Sequence, residues 1–172
     1  MKKLILLMTL FLVGCESKTL EETVTNLGDT PKEIISTLGK QHGMELDYSV
    51  GILDDEITFV NEEETFKVNL LNEDFYIAIA PYHTNTHPWL YHNATGCSGE
   101  LKDVKFDVKI ITNKGEVIVD ESISSLKNGF FEVWLPRNIE ATMIVEYNGL
   151  SNISEISTYS GDPTCITTTK LT

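Results

Sequence analysis

Val104-Lys105-Phe106-Asp107-Val108-Lys109-Ile110-Ile111, then the turn Asn113-Lys114-Gly115, then Glu116-Val117-Ile118-Val119-Asp120: this stretch decides the fold class. Phe106, Val108 and Ile110 alternate with charged residues, the period of two that marks a strand with one buried face. The turn residues join two such runs into a hairpin. Toward the C-terminus the pattern recurs at residues 130–135, 141–147 and 154–158, separated by Asn128-Gly129, Pro136-Arg137-Asn138 and Asn148-Gly149. Toward the N-terminus, Ile57-Thr58-Phe59-Val60, Phe66-Lys67-Val68-Asn69-Leu70 and Phe75-Tyr76-Ile77-Ala78-Ile79-Ala80 are strand-like, and Pro81 closes the last. Short strands with turn signals at these intervals predict an antiparallel sandwich or barrel.

Ahead of the strands, Asp29-Thr30-Pro31-Lys32-Glu33 reads as a helix start, with Thr30 as N-cap, Pro31 at the first helical position and Glu33 as its capping-box partner. Ile34, Ile35 and Leu38 give this short helix an apolar face, and Gly39 or Gly43 ends it. The expected class is therefore α+β: a helical and mixed portion over residues 29–71, followed by an antiparallel β-sandwich over residues 72–172.

The first residues carry an address. Lys2-Lys3, the apolar run from Leu4 to Val13, and Leu12-Val13-Gly14-Cys15 compose a signal peptide with a lipobox over residues 1–14. The run is too short to span a hydrocarbon core of ~30 Å permanently. Cleavage before Cys15 makes it the lipidated N-terminus, and residues 15–28 form a tether or a loose first helix. The expected protein is exported and held by a lipid anchor on the extracytoplasmic face of a membrane. Its mature part has 11 basic against 26 acidic side chains, a net charge of −15. Such a surface repels nucleic acid and favours cations in its surroundings.

Residues 82–100 contain no convincing strand and most of the chemistry. His83, His87 and His92 fall within ten residues, and Cys97 follows. Imidazole and thiolate are the donors that Cu(I), Cu(II) and Zn(II) prefer, so the segment is a candidate copper site with zinc as a second candidate. The spacing matches no zinc-finger template, and a histidine-rich surface loop that binds nothing specific is the alternative. A Cys97/His92 nucleophilic dyad lacks an identifiable orienting group. Glycine-rich phosphate loops and serine nucleophile elbows are missing from the sequence. With Cys15 spent on lipid, Cys97 and Cys165 are two thiols in an oxidising compartment, which by default pair as a disulfide.

Particular words of the sequence carry a resemblance. Phe75-Tyr76-Ile77-Ala78-Ile79-Ala80-Pro81-Tyr82, Thr86-His87-Pro88, His92, Thr95-Gly96-Cys97 and Gly99-Glu100-Leu101 are similar to the signature of the CueP family. So are Asn128-Gly129-Phe130, Trp134-Leu135-Pro136-Arg137, Glu146-Tyr147-Asn148-Gly149 and Thr164-Cys165-Ile166-Thr167-Thr168. The resemblance implies an extracytoplasmic copper-binding protein of copper tolerance, which passes its metal to an acceptor protein. It implies Cys97, Cys165, His87 and His92 as copper ligands; His83 is a weaker candidate, from its place in the histidine cluster alone. Where the family carries a third cysteine after His-Pro, this chain has Trp89.

That departure limits the chemistry. Two thiols either hold copper or reduce Cu(II) stoichiometrically and become a disulfide; they cannot do both at once. With Cys97 and Cys165 paired, His87 and His92 remain as ligands suited to Cu(II) or zinc. The expected function is copper binding without conventional enzymatic turnover. The alternative, from a different class, is a structural or interaction lipoprotein: a sandwich stapled by Cys97–Cys165 whose metal site has decayed. Assembly as a homodimer stays open.

Overall fold

The helix start at Thr30 forms as its residues dictate. In this computed structural model, which describes residues 18–172, the Thr30 hydroxyl accepts from the Glu33 N–H at 3.3 Å and the Glu33 carboxylate accepts from the Thr30 N–H at 3.0 Å. Helix α2 spans Pro31–Lys40 and buries Ile34, Ile35 and Leu38. A second capping box, Thr19 with Glu22, starts helix α1 at Leu20–Leu27, and Leu20, Val24 and Leu27 are buried. Of the tether or loose first helix read over this stretch, residues 20–27 form a helix, because Leu20, Val24 and Leu27 give it an apolar face at helical spacing. Residues 1–14, read as a signal peptide, and Cys15, read as the lipidation site, lie outside the described residues.

The strands are β1 (Ser49–Ile52), β2 (Glu56–Val60), β3 (Thr65–Asn69), β4 (Phe75–Ile79), β5 (His92–Asn93), β6 (Lys105–Thr112), β7 (Val117–Ser124), β8 (Phe131–Leu135), β9 (Glu140–Tyr147), β10 (Leu150–Ser157) and β11 (Cys165–Ile166). Among the described residues they form three sheets, ordered β3-β2-β1-β5, β11-β4-β8 and β10-β9-β6-β7. With the two helices, this is the α+β class that the sequence predicts.

The middle sheet positions everything else. Along β4, Phe75, Ile77 and Ile79 face a core shared with Phe106, Val108, Ile110, Met143 and Val145 of the C-terminal sheet. Tyr76, Ala78 and Ala80 point the opposite way, into a core shared with the helices and the N-terminal sheet. All five residues of β4 are buried, so it loses the in-and-out polarity of a surface strand. Full burial of each large apolar side chain contributes roughly 1.5–3 kcal/mol, and β4 supplies such groups to both cores.

The sandwich of the middle and C-terminal sheets is therefore covered on its outer side by the N-terminal portion. It is also mixed rather than purely antiparallel, because β11 runs parallel to β4, pairing Cys165 with Ala78 and Ile166 with Ile79. The segment expected to contain no strand holds β5, which pairs with β1 at Gly51↔Asn93 and Ile52↔His92. A two-residue strand is set by its partner, not by its own propensity.

Arg137 ties the layers together. Its Nε donates to the Glu73 carbonyl at 2.7 Å, and Nη2 donates to the Asp54 and Leu70 carbonyls at 2.8 Å each. Its guanidinium lies over the Phe75 ring, 5.4 Å from the centroid. Among the described residues, no helix is long and apolar enough to cross a membrane.

Candidate metal centre

Two turns and one strand bring the donors together. The Asn93 side-chain oxygen accepts from the Thr95 N–H at 3.1 Å and the Gly96 N–H at 2.7 Å, and the Cys97 N–H reaches the Asn93 carbonyl at 2.9 Å. This tight turn folds Cys97 back, so that its Sγ accepts from the Asn93 N–H at 3.4 Å. Cys165 arrives from the far end of the chain on β11. Its N–H and that of Thr164 both donate to the Leu90 carbonyl, at 3.2 and 3.0 Å. Ala78 and Ala80 lie on the same side of the middle sheet, in the core that includes both cysteines. Their small side chains leave the space that sulfur and imidazole fill.

His87 is placed by its neighbours. Thr86 Oγ1 donates to the Thr167 carbonyl at 2.5 Å, fixing the loop beside β11. Farther up the loop, Glu100 Oε2 accepts from the N–H groups of His83, Thr84 and Asn85 at 3.0, 2.9 and 3.0 Å. Phe130 sits against both imidazoles, 6.1 Å from the His87 ring centroid and 4.7 Å from that of His92.

The result is a compact donor set: one ligand atom each from His87, Cys97 and Cys165 lies within 4.8 Å of the others. Both cysteines are buried and are free thiols, which corrects the expected disulfide. His92 adjoins the group, with Nδ1 4.0 Å from Cys165 Sγ, and its N–H donates to Thr164 Oγ1 at 3.1 Å. His83 is not gathered with them; its ring stacks on Tyr147 at 6.2 Å. Nε2 of His87 and Nε2 of His92 are buried without hydrogen-bond partners. Buried polar atoms in folded proteins are nearly always paired, so orphaned ring nitrogens beside two thiols mark a place for a ligand.

The two sulfurs share one negative charge. The Cys165 thiol donates toward Cys97, and with His92 and the Asn93 N–H this holds the Cys97 pKa far below the ordinary thiol range despite burial. Cys165 is pushed up by the same hydrogen bond, by burial and by the charge on Cys97. Cys97 is the thiolate of the pair and Cys165 its proton donor. A thiolate is the form that binds metal.

Sequence reasoning missed two participants. Tyr76 and Glu132 form a buried pair at 2.9 Å behind His92, with the Tyr76 ring 6.2 Å from the His92 ring. Desolvation raises the pKa of Tyr76 well above its usual value and raises that of Glu132 as well. A charged residue inside a strand of apolar neighbours, Phe131-Glu132-Val133, was the available signal.

Comparison with known families gives a match to the one described as periplasmic copper-binding protein CueP, over residues 33–170. Comparison with curated protein sequences finds no match. Among solved structures the chain is similar to the crystal structure of S.CueP, with a TM-score of 0.84 and 33% sequence identity over 92% of this chain and 100% of that one.

Proposed function

The chain belongs to the CueP family of periplasmic copper-binding proteins, and from that premise we propose that it holds copper as Cu(I) between Cys97 and Cys165, with His87 completing the donor set and His92 beside it. The single observation that carries this reading is the convergence of the His87, Cys97 and Cys165 ligand atoms within 4.8 Å. Two sulfurs and an imidazole suit soft Cu(I), and family membership supports copper with no corresponding support for zinc. Cys97 offers its lone pairs as a thiolate, and Cys165 releases its proton when the ion binds.

Holding and reducing are alternative uses of the same thiols. Two Cu(II) ions can take one electron each from the Cys97 thiolate and the Cys165 thiol, giving two Cu(I), one disulfide and the one proton that Cys165 carried. The protein then has imidazoles alone to hold the product, so this reduction is stoichiometric and self-limiting, not enzymatic. Delivery to an acceptor protein is part of this proposal, and the exposed Trp89, Leu90 and Tyr91 beside the site support it. Lipid anchoring through Cys15 is supported by the lipobox sequence, and a Cys15→Ala variant that remained as firmly membrane-bound as the parent after processing would refute it.

The deciding experiment titrates reduced mature protein with Cu(I) under anaerobic conditions against a competing chelator. A single Cu(I) per chain is expected, with Cys97→Ser and Cys165→Ser each weakening binding by about 100-fold or more. A parent that yields all its copper to the chelator, or serine variants that bind as the parent does, would overturn the assignment and favour the stapled sandwich.

A further inference from the structure

The chain from His87 to His92 is a strap with both ends at the thiols, since His87 belongs to the donor set and His92 Nδ1 lies 4.0 Å from Cys165 Sγ. Its middle is tied down through the backbone, where the Leu90 carbonyl accepts from the N–H groups of Thr164 and Cys165 at 3.0 and 3.2 Å. The side chains of the strap are turned to solvent instead. Trp89, Leu90 and Tyr91 are 52%, 65% and 43% exposed, three large apolar groups in succession beside a site built of buried sulfur.

One of the three turns back onto a donor. The Trp89 indole meets the His87 imidazole edge-on, with ring centroids 6.1 Å apart and planes at 79°. Phe130, fully buried, meets the same imidazole at 6.1 Å and 61°. Both separations lie in the range where edge-to-face rings attract. His87 is thus packed by two rings of opposite exposure, Phe130 from the core and Trp89 from the solvent side.

Nε2 of His87 is buried without a hydrogen-bond partner, so ring packing, not a bond at that nitrogen, turns the imidazole. The outer groups that aim a metal-binding histidine govern how well it holds its ion. On the solvent side of His87 that outer group is Trp89. An indole N–H only donates, so Trp89 brings no lone pair to the metal and acts through the ligand it packs on.

We propose that Trp89 is a positioning residue of this centre: its indole holds the His87 imidazole toward Cys97 and Cys165 and covers the donor set from solvent, and so sets how fast copper leaves. The inference rests on the copper reading above.

The test loads reduced mature protein anaerobically with one equivalent of Cu(I) and follows release to bicinchoninate by stopped flow. Trp89→Ala should release the ion about tenfold faster than the parent, and Trp89→Phe should recover most of the loss because it keeps a ring edge on His87. The apo variants should melt at the parent temperature, since the indole is half-exposed. In a His87→Ala background, where the two thiols still bind, Trp89→Ala should change the rate little, the non-additivity expected of a residue that acts through another. Should His87→Ala bind too weakly to measure, the Trp89→Ala and Trp89→Phe rates decide alone. Parent-like release from Trp89→Ala, or an equal acceleration with and without His87, would overturn the inference and leave the thiol site standing; a parent that takes up no Cu(I) would overturn both.

Discussion

The carbonyl oxygen of Gly99 lies 2.6 Å from where a Cβ on Gly129 would stand, and the Gly129 carbonyl is equally close to a Cβ on Gly99. Two backbone segments meet there without side chains between them, joined by the Gly99 N–H donating to the Asn128 carbonyl at 2.6 Å. The contact locks the loop that follows Cys97 to the turn that precedes Phe130, and Phe130 packs on both His87 and His92.

Either glycine changed to alanine should therefore part these segments. Gly99→Ala is expected to cost about 1–3 kcal/mol of stability through overpacking against backbone. Gly129→Ala should cost more, since φ is +81° there and a side chain is strained in that region. Urea denaturation measures the loss, and Cu(I) competition should show weakened binding in whatever fraction remains folded.

The thiol pair makes stability depend on pH with a definite sign. Below the ordinary thiol pKa of ~8.5 the unfolded chain binds two protons at these sulfurs and the folded chain one, so their contribution rises with pH. It is fully present near that value. Above it the unfolded chain binds none while folded Cys165 retains its proton, and the contribution falls. The difference in unfolding free energy between the parent and a Cys97→Ser, Cys165→Ser double variant should accordingly peak near pH ~8.5. A difference that is flat with pH would contradict the shared charge.

Glu100 offers a local test of the metal-site loop. Its pKa is lowered chiefly by the Asn85 and Thr84 N–H groups and further by that of His83. A carboxylate held below its unfolded value of ~4.3 stabilises above that pH and loses the effect as pH falls through the folded value. Amide exchange at residues 83–85 should be slow at neutral pH and should accelerate in Glu100→Ala. Unchanged protection in the variant would show that the loop is held by other contacts.

Arg137 is expected to be among the costliest half-buried side chains to remove. Arg137→Ala strands three carbonyls and should destabilise by about 3 kcal/mol in a denaturant titration. Arg137→Lys should recover less than half of that, because an ammonium cannot reproduce the planar fork that reaches Glu73, Asp54 and Leu70 together.

What the sequence by itself determined is the local structure. Thr30-Pro31-Lys32-Glu33 specifies a helix start, the alternation from Phe106 to Ile110 specifies a strand, and the Asn-Gly pairs specify where chain direction reverses, because each signal acts over a few neighbouring residues. The chemical types of the site were equally legible, as His87, His92 and Cys97 are close in the chain, and the family words placed Cys165 with them.

Tertiary structure alone decided the rest. β5 and β11 are two residues each and exist because β1 and β4 offer edges, so no propensity could announce them. His83 leaves the site that its place in the sequence suggested, because its ring turns to Tyr147. The charge on Cys97 likewise belongs to no residue alone. It arises when β11 carries Cys165, 68 residues away in sequence, to within a hydrogen bond of it, and long-range contacts of that kind are set by how the cores close.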